Sequence, residues 1–270
     1  MSEGCGMAAK IISLLTDFGL KDNFIGVMKG VIWSIATEAK IVDLTHSISP
    51  QNILEGSLVL VGSVAYFPVG TIHVAVVDPG VGTARRGIAA RIGTQYYVGP
   101  DNGLFTSVLA AAEARSETAE FYTLDKPEFW LPGVSRSFHG RDIFAPVAAH
   151  LANGKKPEEM GSLITDPVRL NIPSPERIAG GWLGQVLMVD HFGNLITNIK
   201  PKHFEAGKRV LISVGDMVID GVITTFGESH PGELVAMFDS SDVLQIAIVN
   251  GNAAQRLNAK IGSIVKLNYN

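Results

Sequence analysis

The first two-thirds of the chain alternates short apolar runs with longer stretches whose apolar residues return every three or four positions. "KIISLLT" (10–16), "AKIVDLT" (39–45) and "TIHVAVVD" (71–78) read as buried strands. "DNFIGVMKGVIWSIA" (22–36) reads as a helix opening near Asp22, and "PQNILEGSLVLVGSVAYF" (50–67) as one closed by Pro68. "GIAARIG" and "QYYVGP" suggest a hairpin, and "DNGLFTSVLAAAEA" (101–114) a further helix. In "RDIFAPVAAHLANGK" (141–155), Ile143, Phe144, Val147 and Leu151 share one face. Asp142 is placed to cap that helix, Pro146 is tolerated in its opening turn, and Asn153-Gly154 ends it. This alternation predicts a Rossmann-like α/β domain whose mainly parallel sheet is covered on both faces.

The pattern breaks at "NIPSPERIAGG" (171–181), two prolines followed by paired glycines. Beyond it, "WLGQVLMVD", "RVLISVG", "MVIDGVIT", "ELVAMFD", "VLQIAIV" and "SIVKLNY" are short strand-like runs separated by Gly, Asp and Asn turns. The expected organisation is an N-terminal α/β domain over 1–174 and a small C-terminal β-barrel over 180–270.

Composition narrows the partners. The chain has 270 residues, is 46% hydrophobic and 18% charged, and carries a net charge of -4, which suits a globular protein with a large core. No basic run stands out, so nucleic acid and anionic membranes are poor partners. The most apolar stretch, "SLVLVGSVAYF", is too short and interrupted to span a bilayer. A single cysteine, Cys5, cannot form an intrachain disulfide, and "MSEGCGMAAK" lacks the apolar core of a secretory signal; both fit a reducing cytoplasm.

Ligands of open α/β sheets sit beyond the carboxyl ends of the strands, and three predicted strands end there in polar residues. The first leads to Thr16, Asp17 and Asp22, the second to Thr45-His46-Ser47, and the third to Asp78 with a Gly-rich turn that delivers Arg85 and Arg86. An arginine beside a carboxylate favours its charged form and fixes it through two hydrogen bonds, a role open to Arg85 or Arg86. "SRSFHGRDIFAP" (135–146) places His139 before a helix N-terminus, where it is able to move protons near neutral pH and backbone N–H groups can meet a ligand. "VDHFGNLITNI" (189–199) combines Asp190, Phe192, Asn194 and Asn198, a carboxylate, a ring face and amides suited to a heteroaromatic base. Each cluster also has a plain structural reading, as a helix cap, a tied loop or a hairpin turn with Gly at its tip. "TDFG" lies too near the N-terminus for the kinase magnesium motif, and "DPGVGTARRG" lacks both GxGxxG and GK[ST]. The seven histidines show no zinc-like spacing, so no metal and no cofactor is expected.

Seven segments, "LLTDFGLKDNFIGVMKG", "IVDLTHSISPQNILEG", "VVDPGVGTARRG", "YVGPDNG", "SFHGRDIFAPVAAHLA", "VDHFGNLITNI" and "VNGNAAQRL", span nearly the whole chain in order. Together they resemble the S-adenosyl-L-methionine hydroxide adenosyltransferases, also called SAM hydrolases, relatives of enzymes that fluorinate or chlorinate the same substrate. The resemblance implies an α/β domain followed by a β-barrel, and a homotrimer with active sites between subunits. It implies a catalytic set of Asp78, Arg85 and His139. Where halogenases typically have a tyrosine this chain has Asp78, and where they have the tryptophan of the halide pocket it has Gln51. It further implies that Asp17 binds the ribose hydroxyls, and that Asp22 and Asp190 hold the ammonium end of the methionine part. Asn194 would read the adenine edge, with Phe192 and Phe226 packing on the ring. Ser240 and Ser241 would meet the methionine carboxylate, although "DSSDVL" departs from the family's usual Asn-Ser loop.

The reaction so implied is S-adenosyl-L-methionine plus water giving adenosine and L-methionine. The alternatives are a halogenase, a non-catalytic sensor of S-adenosylmethionine or adenosine, and a nucleoside hydrolase. The last would attack C1′ and usually relies on a calcium-binding "DxDxxxDD" cluster, which is absent.

Overall fold

Side-chain alternation along β1 (Ile11–Thr16) assigns its residues to two apolar layers. Ile12 and Leu14 enter the layer beneath α1 (Phe24–Ile35), and Leu15 enters the one beneath α2 (Ile53–Val64). β2 (Lys40–Thr45), β3 (Ile72–Val76) and the hairpin of β4 (Gly87–Ile92) and β5 (Gln95–Pro100) extend the same sheet. α3 (Thr106–Ala114) joins α2 on one face; α4 (Ala145–Ala152) joins α1 on the other. β6 (Ala119–Thr123) and β7 (Leu163–Ile164) complete it, in the order β2-β1-β3-β5-β4-β6-β7. The computed structural model describes residues 10–269, so Cys5 and the reading of the N-terminal segment lie outside the described residues. Two compact units emerge, Met1–Leu170 and Asn171–Asn270.

The first unit's sheet is mixed, which corrects the mainly parallel sheet expected from the alternation. β2, β1, β3 and β5 pair in parallel, whereas β5, β4, β6 and β7 pair antiparallel. The cause is local. Gly93 and Thr94 alone join β4 to β5, with Gly93 at φ +57°, and so tight a turn returns the chain antiparallel. β6 was not anticipated, because "AEFYT" is short and carries no clean alternation.

Helix ends also differ from expectation. α2 starts at Ile53 because the Asn52 side chain accepts from the Glu55 N–H. α3 starts only at Thr106, since Gly103 at φ +94° holds the preceding residues in a turn. Asp142 does not cap α4. It lies inside a π-helical turn, Gly140–Phe144, in which the Ala145 N–H reaches the Gly140 carbonyl. Pro146 and Asn153 occupy the opening and closing positions anticipated for them.

The second unit is all antiparallel: β8 (Glu176–Ile178), β9 (Gly181–Val189), β10 (Leu195–Thr197), β11 (Val210–Val214), β12 (Met217–Asp220), β13 (Leu234–Phe238), β14 (Leu244–Ile248) and β15 (Ile264–Tyr269). One sheet runs β12-β11-β15-β9-β10-β14-β13, with β8 added on β9. It curls around Val186, Leu195, Ile212, Ile246, Val265 and Leu267 until its ends approach, and the Ile223 N–H donates to the Ala236 carbonyl across the seam. The sheet is therefore nearly barrel-shaped. A short helix, α5 (Ala253–Leu257), was not anticipated. No helix among the described residues is long and apolar enough to cross a membrane.

One buried group ties the first unit's stability to pH. His73 is fully buried on β3, 2.6 Å from the Ser13 hydroxyl, with its ring stacked on Tyr97. Burial pushes its pKa down to about 4, against 6.5 when exposed. The unfolded chain therefore binds the proton first, so stability is complete above pH 6.5 and declines as pH falls towards 4. The loss is expected to reach about 3 kcal/mol. Urea unfolding at pH 7 and pH 4.5 measures it, and His73→Gln should flatten the difference.

Candidate active site

β3 carries the chain out of the sheet to Asp78, one residue past the buried Val77. Pro79 and Gly80 begin a turn in which the Val81 N–H bonds the Asp78 carbonyl and the Thr83 N–H the Gly80 carbonyl. The turn returns Arg85 alongside. Its Nε lies 2.9 and 3.0 Å from the two carboxylate oxygens of Asp78, and its Nη2 also donates to Oδ2. With only 4% of the Asp78 side chain and 11% of the Arg85 side chain exposed, solvent screens this pair little. The Phe144 ring, from the π-helical turn, faces the guanidinium at 5.3 Å.

Arg85 Nη2 also lies 2.9 Å from His139 Nδ1. Arginine has only donors, so Nδ1 accepts and the neutral ring carries its proton on Nε2. Burial, and then the Arg85 charge, holds the His139 pKa below the usual histidine value, with Asp78 pulling the other way. The neutral form therefore persists to lower pH than in an exposed histidine.

Gly82 brings these pieces together. It sits at φ +75°, and a Cβ there would stand 2.1 Å from the Arg136 carbonyl oxygen. Only a glycine lets the turn lie this close to the loop that delivers His139. Arg86, the other arginine of the turn, faces elsewhere and binds Asp101 and Asp166. The choice between the two arginines is thereby resolved in favour of Arg85. Of the N–H groups that follow His139, those of Arg141 and Asp142 both bond the Phe138 carbonyl.

The loop after β1 adjoins this group. Asp17 Oδ2 accepts the Gln51 N–H at 2.8 Å, with Gln51 at φ +65°, so these two residues meet. Phe18, Phe24 and Phe138 pack edge to face at 5.3 to 5.9 Å, joining the Asp17 loop to the residue before His139. Asp22 is exposed in the same loop. At the end of β2, His46 is buried against the Thr16 hydroxyl.

In the second unit, Asp190 closes the turn between β9 and β10. Its Oδ1 accepts from the N–H groups of Phe192 and Asn194, and its Oδ2 accepts from the Asn194 side chain at 2.7 Å. Gly193, at φ +83°, lies against Asn252, which caps α5, so "HFGN" and "VNGNAAQRL" form one substructure. Phe192 is 71% exposed. Asn198 faces inward and bonds the backbone of Gln185 and Pro173. Phe226 opens a single helical turn, and Ser240 and Ser241 sit on another turn where Asp239 accepts from the Ser241 and Val243 N–H groups. Among the described residues no group of three or more His, Cys, Asp or Glu side chains gathers to hold a metal ion.

Sequence reasoning missed Phe144, Gly82 and the Phe18–Phe24–Phe138 cluster as parts that shape the site. A positive-φ glycine beside a polar cluster was the one signal on offer; the π-helical turn has none.

Models for the SAM hydroxide adenosyltransferase N-terminal and C-terminal domains match residues 12–161 and 184–266. A Thermus thermophilus protein named (R)-S-adenosyl-L-methionine hydrolase is 39% identical over 259 residues, 95% of this chain and 98% of that one. The crystal structure of an uncharacterized conserved protein from Thermotoga maritima matches with a TM-score of 0.86 at 37% identity, covering 95% of this chain and 99% of that one. A fluorinase from an Actinoplanes species is 29% identical, over 94% of this chain and 96% of that protein.

Proposed function

The chain belongs to the SAM hydroxide adenosyltransferase family, and from that premise we propose that it hydrolyses S-adenosyl-L-methionine to adenosine and L-methionine. The observation that carries the mechanism is the Arg85 guanidinium bridging Asp78 and His139. Water attacks C5′ of the ribose while the C5′–sulfur bond breaks, and the sulfonium leaves as the neutral thioether of methionine. The leaving group needs no proton, so the demand falls on the nucleophile. Asp78 takes the proton from water as the new carbon–oxygen bond forms, and releases it to solvent afterwards. His139, protonated on Nε2, serves as a donor that orients the water, and Arg85 holds both partners in place.

On the substrate side of the same proposal, Asp17 binds the ribose hydroxyls and Asp22 and Asp190 the methionine ammonium. Asn194 reads adenine, with Phe192 and Phe226 on the ring, while Ser240 and Ser241 meet the methionine carboxylate and Gln51 lines the pocket. The acids among them suit a substrate that carries positive charge. The finer family features belong to the same proposal: a Rossmann-like first unit, a closed barrel in the second, a homotrimer with active sites between subunits, a cytoplasmic location, and no nucleic-acid or membrane partner. Light scattering of the purified protein tests the trimer.

Chromatography of the products from S-adenosylmethionine, with and without chloride or fluoride, tests the reaction. Adenosine and methionine alone support it. A halogenated nucleoside would make the protein a halogenase, adenine release a nucleoside hydrolase, and binding without turnover a sensor. The Asp78–Arg85 pair argues against a halide, because the arginine charge is matched by a carboxylate where an anion would have to approach. Water labelled with oxygen-18 should place its label on C5′ of adenosine.

pH adds a further test. Protonating His139 would set an N–H against the Arg85 N–H and break the bridge. Activity should therefore fall as pH drops through the lowered His139 pKa, giving kcat/KM an acid limb below pH 6.5. In His139→Gln that limb should vanish, with activity reduced about a hundredfold at pH 8.

A further inference from the structure

Thr16, the last residue of β1, is fully buried, and its hydroxyl oxygen has two neighbours. The Phe18 N–H donates to it at 3.2 Å, and His46 Nδ1 lies 2.9 Å away. The Asp43 carboxylate beside Nε2 favours the tautomer with the proton on that nitrogen, which leaves Nδ1 to accept the Thr16 hydroxyl hydrogen. Nε2 stands 3.1 Å from Asp43 Oδ1, near it but out of line for a well-aligned hydrogen bond, so that contact is mainly electrostatic. The other Asp43 oxygen takes the Lys29 ammonium at 2.6 Å. The His46 carbonyl accepts the Gly19 N–H at 2.8 Å. Asp17 thus sits between two fixed points, Thr16 on one side and the Phe18–Gly19 backbone on the other, all referred to His46 at the end of β2.

We infer that Asp43, His46 and Thr16 form a chain of positioning residues that sets the orientation of Asp17, and with it the KM for S-adenosyl-L-methionine. The inference rests on Asp17 contacting the ribose, as proposed above. None of the three needs to touch substrate. Thr16 is sealed from solvent, and His46 is buried behind it. A contact made equally in the ground state and the transition state changes KM and leaves kcat in place. A purely structural role would instead lower the folded fraction, reducing apparent kcat with KM unchanged.

The test uses steady-state kinetics of adenosine release with the full chain. Thr16→Val keeps the shape and removes the hydroxyl; KM should rise about tenfold with kcat within about twofold. Thr16→Ser restores the hydroxyl and should restore KM. Asp43→Ala should raise KM in the same sense, and Asp43→Glu, which keeps the charge facing Nε2, should rescue it. Asp43 is partly exposed, so this second pair decides the matter if Thr16→Val fails to fold. The double variant should have the KM of Thr16→Val alone if the three act as one chain. Unchanged KM in both Thr16→Val and Asp43→Ala overturns the inference and leaves the reaction standing. Unchanged KM in Asp17→Ala also overturns it, by removing Asp17 from the ribose. Absence of adenosine from the wild-type protein instead overturns the function itself.

Discussion

Asp78→Asn is expected to lower kcat for adenosine release about a thousandfold while KM stays within a few-fold of wild type. The substitution keeps volume and shape, so the turn after β3 should survive. It removes the charge and one acceptor from a nearly sealed position that Arg85 addresses with both Nε and Nη2. The amide nitrogen then faces guanidinium donors, and the water loses the group that receives its proton. Loss of kcat without loss of binding identifies an interaction made in the transition state, and isothermal titration with S-adenosylmethionine checks the binding half. An Asp78→Asn protein with full turnover would remove Asp78 from the chemistry.

Gly82→Ala should be nearly as damaging, although its side chain would be a single methyl. That methyl would stand 2.1 Å from the Arg136 carbonyl, in a backbone conformation disfavoured for alanine. Strain of this kind costs about 1–3 kcal/mol, visible as a lowered thermal midpoint. The larger effect is on rate. Relieving the clash moves the Asp78–Arg85 turn away from the loop that carries His139, and a displacement of ~1 Å is enough to cost about a hundredfold in kcat. Ala84, two residues on, is exposed and has no hydrogen-bonding side chain, so Ala84→Ser provides a control in the same turn with a small expected effect.

What the sequence made legible follows from how far each feature depends on distant contacts. β1, β3 and β9 declare themselves through apolar runs, and the break near 171–181 marks the change from alternating to all-β structure. The approach of an arginine to Asp78 was legible because a Gly-rich turn of seven residues has few ways to close. The arginine responsible was not legible from pattern alone, since Arg85 and Arg86 differ only in which way the chain faces, and Arg86 is claimed by Asp101 and by the distant Asp166. The hairpin of β4 and β5 was legible from its tight turn, but its place in the middle of the sheet, which makes everything beyond it antiparallel, depends on the distant pairing of β5 with β3. Asp142 looked like a helix cap because Asp before an apolar run usually is one. Instead its carboxylate accepts from the Ser135 N–H and from Arg141, which steadies the loop leading to His139. The pull of the aromatic cluster on both active-site loops depends on Phe18 and Phe138 meeting across 120 residues, beyond the reach of periodicity.

The Gly93-Thr94 turn also gives the first unit an order of assembly. β4 and β5 are neighbours in sequence, so their hairpin is able to close on the timescale of about 1–10 μs, before any parallel pairing. β5 then offers its free edge to β3, and β3 to β1, each step joining segments separated by a longer span of chain and so occurring later. Asp78 and Arg85 lie in the segment between β3 and that early hairpin, and are drawn together when β3 docks. His139 arrives last, with the π-helical turn and α4. During synthesis the nascent chain would thus form its ion pair while the histidine is still being made, and the Asp78–Arg85–His139 bridge would be complete only once the loop that carries His139 packs on the turn.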